Sequence, residues 1–146
     1  MSSLTDRQIK EIAEQIDCGF KCFWNRKANE LLFVPDTDKY PELENDIFDE
    51  NFEKLNNNFQ DYDEIEPLQS IDSYNIMAEF TELLDNDKLK SQLEYALNRK
   101  KPFREFKYVI DNSGDYRNEW FNFKNKKLKE WILKKIYEIS GLVDEQ

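Results

Sequence analysis

Arg99, Lys100, Lys101, Arg104, Lys107, Lys124, Lys126 and Lys127 are the side chains of this chain best suited to meeting an anion. They lie interleaved with aromatics between Ala96 and Trp131. These cations, together with Arg117, can contact phosphates or acidic protein surfaces, and Tyr108 and Phe121, where exposed, can stack on nucleic-acid bases. The competing expectation is that the aromatics form a core stripe and the cations are the solvated sides of their helices. Arg104, between Phe103 and Phe106, is the residue to watch. A planar guanidinium beside an apolar stripe can clamp a carboxylate within the chain or present to a ligand, and internal pairing is the expected role.

Carboxylates offer a second chemistry. Asp36/Asp38 and Asp61/Asp63/Glu64/Glu66 supply the oxygen ligands that Mg²⁺ and Ca²⁺ take, but Asp36-Thr37-Asp38 lacks the Gly turn and distal Glu of a calcium loop. Solvated acids on loops and an edge strand are expected instead, and such charge discourages edge pairing. Pro35-Asp36 with Glu105-Phe106-Lys107 has the residue types of metal-dependent nucleases, whose carboxylates and Lys converge around a metal. Glu105 and Lys107 fall in a predicted helix, where residues two apart point in different directions. No metal site and no cofactor are expected.

Cys18 and Cys22 cannot by themselves complete a tetrahedral zinc site, and their C-x3-C spacing is not the C-x-x-C of thioredoxin-type redox sites. Two reduced thiols near a helix-to-strand junction are expected. The chain contains no histidine, which excludes Ser-His-Asp and Cys-His nucleophiles and imidazole metal sites. An enzyme here would need carboxylates, Lys or Tyr as proton carriers. No catalytic residue is assigned, and a carboxylate-based metal-dependent enzyme ranks third among the functional readings.

The net charge of −10 is unevenly spread. Asp36 to Glu66 holds twelve acids against Lys39 and Lys54, whereas Lys88 to Lys135 holds fourteen bases against six acids. Such asymmetry predicts an acidic face and a basic face, either of which can meet a partner, or which partly neutralise each other within the fold. The overall acidity opposes nonspecific nucleic-acid binding.

The elements that must position these residues are legible from spacing. Leu4-Thr5-Asp6-Arg7-Gln8-Ile9 predicts a helix start with a capping box and a hydrophobic staple, and Gly19 predicts its left-handed stop. Phe20 to Trp24 and Glu30 to Val34 flank a polar loop and predict a hairpin with Phe20, Cys22 and Trp24 on one face. Pro35 ends the second strand and Asp36 to Tyr40 reads as a loop. Ile47, Phe48, Phe52 and Leu55 recur at helical spacing, and Asn56-Asn57-Asn58 stops them. Tyr62 to Leu68 reads as an exposed edge strand ending near Pro67.

Beyond residue 70 the pattern is helical throughout. Ser73 is the expected cap of a segment carrying Ile76, Met77, Phe80, Leu83 and Leu84 inward. Asp87 is the expected cap of the next, with Leu89, Leu93, Ala96 and Leu97 inward. Pro102 belongs in the first turn of a third, with Phe103, Phe106 and Ile110 inward. Asp115 precedes a last helix, Tyr116 to Ile139, burying Trp120, Phe123, Leu128, Trp131, Ile132, Ile136 and Ile139 and closed by Gly141. The fold class is therefore α+β: a small antiparallel sheet, hairpin plus one further strand, packed by helices and followed by a helical C-terminal half. A chain of 146 residues is most simply one domain, with 1–68 the helix and small sheet, 69–141 the helical half and 142–146 a short tail.

Ala96-Leu97 through Pro102-Phe103-Arg104-Glu105-Phe106-Lys107, and on to Trp120, Phe123, Leu128 and Trp131, resembles Uncharacterised Protein Family 0158, a bacterial family of unknown function. Its members share a Phe-Arg-x-Phe-Lys core after a helix ending in Ala-Leu or similar, then a Trp-x-x-Phe segment and a final charged helix. Ser70-Ile71-Asp72-Ser73-Tyr74 with Met77, Phe80 and Glu82 is similar to the family's preceding helix. The resemblance is strong over about residues 70 to 131 and looser over 8 to 68. Many members place small glycines before the Phe-Arg pair where this chain has Asn98-Arg99-Lys100-Lys101-Pro102. The resemblance implies the fold and a bacterial cytoplasmic setting, and no substrate.

There is no apolar run long enough for a membrane helix and no signal-peptide core at the N-terminus, so a cytoplasmic protein without membrane contact is expected. The expectation for function is a small non-enzymatic interaction module meeting a protein partner. The alternative is a nucleic-acid-associated protein using the basic C-terminal helices.

Overall fold

The computed structural model describes residues 4–37 and 46–144. Asp38, Lys39 and Tyr40, part of the expected acidic pair and loop, lie outside the described residues. Among those described, the order is helix α1 (Asp6–Asp17), strands β1 (Phe20–Asn25) and β2 (Glu30–Pro35), helix α2 (Asp49–Asn57), strand β3 (Asp63–Ile65), then helices α3 (Ser70–Leu83), α4 (Asp87–Leu97), α5 (Pro102–Asp111) and α6 (Tyr116–Asp144). Short 3₁₀ turns, Asp46–Phe48 and Phe59–Asp61, bracket α2. The fold is α+β, as the sequence predicts. The chain forms two compact units, residues 1–67 with 129–146, and residues 68–128.

In the first unit the capping box forms. The Thr5 hydroxyl accepts from the Gln8 backbone N–H at 3.1 Å, and Gln8 Oε1 accepts from the Thr5 N–H at 2.9 Å. Gly19, at φ 97°, ends the helix in the left-handed region where a side chain would be strained. The sheet order is β2-β1-β3, all antiparallel. β1 is thus central, and β3 is an edge strand of three residues rather than the longer one expected over 62–68.

Alternation along β1 sends Cys22 and Trp24 to one face, with Ile65 opposite Cys22 on β3, and all three are buried. Helix α1 packs on β1 and buries Ile9 and Ile12. On the other face Leu32 joins Leu55 and Tyr62 in a small core against Phe23. The outer edges of the sheet are occupied: Asn51 Nδ2 donates to the Phe33 carbonyl of β2 at 3.0 Å, and Trp131 Nε1 donates to the Glu66 carbonyl beyond β3 at 3.0 Å. Satisfying those carbonyls removes part of the template an open edge offers.

The second unit is helical, built on Met77, Phe80, Leu89, Leu93, Leu97, Phe106, Ile110 and Trp120. Its helix starts differ from the expected caps. Gln69, not Ser73, precedes α3, and the Asp72 carboxylate accepts from the Gln69 N–H at 3.2 Å. Asn86, not Asp87, caps α4 by accepting from the Leu89 N–H at 3.0 Å. Pro102 does open α5. Leu83 and Phe103, expected inward, are exposed, as is Ile47 of the first unit. Gly141 does not close α6, which runs on to Asp144. A glycine costs only about 1 kcal/mol inside a helix, so it stops one only where the chain turns.

Candidate functional site

The connection between α4 and α5, together with the outer side of α5, carries the densest cationic cluster. Residues 99–107 hold five bases and one acid. Helix α4 closes at Asn98, whose Nδ2 donates to the Glu94 carbonyl at 2.8 Å, and Pro102 restarts the helix. Burial of Phe106 and Ile110 then fixes the rotation of α5. At 3.6 residues per turn, Phe103, Arg104, Lys107 and Tyr108 fall on the arc facing away from that core, with Phe103 44% and Tyr108 70% exposed.

The cations of this cluster divide by what they touch. Arg99 Nη1 donates to the Tyr95 hydroxyl at 2.6 Å and lies over the same ring. Arg104 pairs with its neighbour Glu105 at 3.3 Å, its side chain 68% exposed. It therefore pairs within the chain, but at the surface and with one acid, not in a buried clamp. Lys100, Lys101 and Lys107 are exposed and have no ion-pair partner among the described residues.

The α6 candidates behave differently. Lys127 pairs with Glu79 at 2.9 Å and lies over the Phe123 ring, and Lys124 lies over Phe121. Arg117 pairs with Asp111 at 3.2 Å and also lies over the Phe121 ring. Their charged groups lie over half-buried aromatic rings, a cation–π arrangement. Phe121 is half-buried with two cations over its ring, whereas Tyr108 is exposed. Lys126 is exposed.

The basic run from Lys88 to Lys135 spans both units. Lys129, Lys134 and Lys135 belong to the unit of residues 1–67 and 129–146, which carries 21 acids against 10 bases, while residues 68–128 carry 10 acids against 11 bases. Near-neutrality of the second unit makes residues 99–107 a local patch instead of part of a broad positive field.

The other constellations divide between the two units. Glu105 and Lys107 lie on α5, and Asp36 belongs to the other unit. Among the described residues no three His, Cys, Asp or Glu side chains group to hold a metal. Burial pushes the Glu64 carboxyl up, opposed by Lys21 and reinforced by Glu66 and Asp36. A trio the sequence reading did not foresee joins β2, α2 and Tyr62: Lys54 pairs with Glu30, and the Tyr62 hydroxyl donates to the same carboxylate at 3.4 Å. Burial raises the Tyr62 hydroxyl, and the hydrogen bond to Glu30 raises Lys54. The trio sits at the margin of the Leu32–Leu55–Tyr62 core and ties α2 to the sheet.

Both thiols are free. Burial, with Glu11 and Glu64 nearby, pushes Cys22 up to about 12, so it is protonated and inert at neutral pH. The expected outcome of thiol labelling at pH 8 is one modified cysteine per native chain, Cys18, and two after denaturation. Prompt native labelling of Cys22 would contradict its burial.

A model described as Uncharacterised protein family (UPF0158) matches residues 3–140. Among curated proteins, the UPF0158 protein PA5073 of Pseudomonas aeruginosa is 29% identical over 69 residues, covering 47% of this chain and 45% of that protein. The chain thus matches less than half the length of that relative. No solved structure matches. No helix among the described residues is long and apolar enough to cross a membrane.

Proposed function

The chain belongs to the uncharacterised protein family UPF0158, and from that premise we propose that it is a small, cytoplasmic, non-enzymatic protein-interaction module. Its binding face is the basic aromatic arc formed by residues 99–101 and the outer side of α5. The observation that carries this reading is the set of exposed, unpaired Lys100, Lys101 and Lys107 beside exposed Phe103 and Tyr108. Exposed aromatics can anchor an interface, and charges at its polar rim select the partner. The chemistry that fits is an acidic protein surface with an apolar element. Two free thiols fit the reducing setting of a cytoplasm.

Affinity capture from a bacterial lysate with the full chain and with Lys100→Glu/Lys101→Glu/Lys107→Glu tests this. The variant is expected to lose at least about tenfold of the specifically captured protein, since like-charge juxtaposition costs several kcal/mol. Equal recovery would remove the arc from consideration. A second reading, association with single-stranded nucleic acid, draws on Tyr108, which is open for base stacking. Anisotropy titration with short single-stranded RNA and DNA at about 50 mM salt separates the two. Salt-sensitive binding lost in the triple variant favours nucleic acid, and no binding at that salt ends that reading.

A further inference from the structure

Two helices of this chain carry outward arcs of opposite charge. On α2, burial of Leu55 leaves Asp49, Glu50 and Glu53 exposed on the outer side. None of the three has an ion pair among the described residues. Ile47, just ahead of them, is 82% exposed. On α5 and the turn before it, Lys100, Lys101 and Lys107 are likewise unpaired, beside Phe103 and Tyr108. The acidic arc carries one large exposed apolar group, Ile47, with Lys54 near Glu50, and the basic arc carries two, Phe103 and Tyr108, so the arcs are opposite in net charge and each offers apolar surface.

We propose that the basic arc of α5 accepts the acidic arc of α2 from a second copy of this chain. The inference rests on the reading of the basic arc as a protein-binding face and names its partner. The contact pairs two different patches, the basic arc of one copy and the acidic arc of the other. Two short helical arcs bury an area at the low end of specific interfaces, which makes the association weak and reversible. Opposed charges in contact lie well within the Debye length, whereas the net repulsion of two acidic chains acts over longer distances and is screened more.

Sedimentation velocity on the full chain tests the proposal with two variants, Lys100→Glu/Lys101→Glu/Lys107→Glu and Glu50→Lys/Glu53→Lys. The wild type is expected to self-associate at protein concentrations on the order of 100 μM and about 50 mM salt, and to weaken at least about tenfold near 500 mM. Each variant alone is expected to be monomeric. An equimolar mixture is expected to regain association, because the first variant keeps the acidic arc and the second keeps the basic one. A monomeric wild type, variants that associate as the wild type does, or a mixture that stays monomeric would each overturn the proposal. Where circular dichroism shows either variant unfolded, Lys107→Glu and Glu53→Lys replace them with the same expectations. A monomeric wild type whose triple variant still loses capture of a different protein would reject the second copy and leave the basic arc as a protein-binding face.

Discussion

Phe106→Ala is expected to remove about 3–5 kcal/mol from the stability of residues 68–128. The Phe106 ring is almost fully buried, and it meets Trp120 edge-on with centroids 4.9 Å apart. Trp120 in turn packs edge-on against Phe80 at 5.3 Å. The void left by alanine is therefore walled by rings already held by their other neighbours. Cores collapse poorly around such walls, which places this site toward the high end of the range for aromatic truncation. Hydrogen exchange of the α4 and α5 amides reads the loss directly, as a fall in their opening free energy. A fall below about 1 kcal/mol would mean that the ring does not carry the core it appears in. Phe106→Leu, which keeps much of the volume, is expected to lose less.

Trp24→Ala is expected to cost a similar amount, about 3–5 kcal/mol, in residues 1–67 with 129–146. Trp24 is fully buried on the central strand, opposite Leu31 on one side and Asp63 on the other. Its indole Nε1 donates to Asn29 Oδ1 at 3.3 Å. Asn29 holds a left-handed φ of 52° at the end of the hairpin loop, a conformation Asn tolerates better than other side chains. The side chain thus anchors both the sheet face and the loop that sets the register. Protection of the β1 and β2 amides is expected to fall by the same margin, and unchanged protection would contradict this placement.

Much of this fold is legible in the sequence because local chemistry and burial agree. Thr5 and Gln8 cap α1 whatever it packs against, Pro102 can only open a helix, and alternating Cys22 and Trp24 demand a strand with one buried face. The misreadings fall where neighbouring candidates compete. Asn86 and Asp87 can both cap, and position decides which one meets the Leu89 N–H. Leu83, Phe103 and Ile47 sit at the margins of apolar stripes, where spacing alone cannot tell a core position from a surface one. Phe103 is the costly case, since its exposure adds an aromatic to the binding arc that the sequence assigned to the core. For the cations, sequence supplies the cluster but not the partners. Lys127 on Glu79 and Arg117 on Asp111 lie 48 and 6 positions from their acids, and only the fold separates them from the unpaired Lys100, Lys101 and Lys107.

We propose that a local arc, not overall charge, makes the binding face. The most direct test is capture by two variants of equal net charge: Lys100→Glu/Lys101→Glu/Lys107→Glu, which reverses the arc, and Lys88→Glu/Lys126→Glu/Lys129→Glu, which reverses exposed cations elsewhere. The first is expected to lose at least about tenfold of the captured protein while the second keeps wild-type recovery. Equal loss in both would make the effect one of net charge, and retention by the first variant would place the binding face elsewhere on the chain.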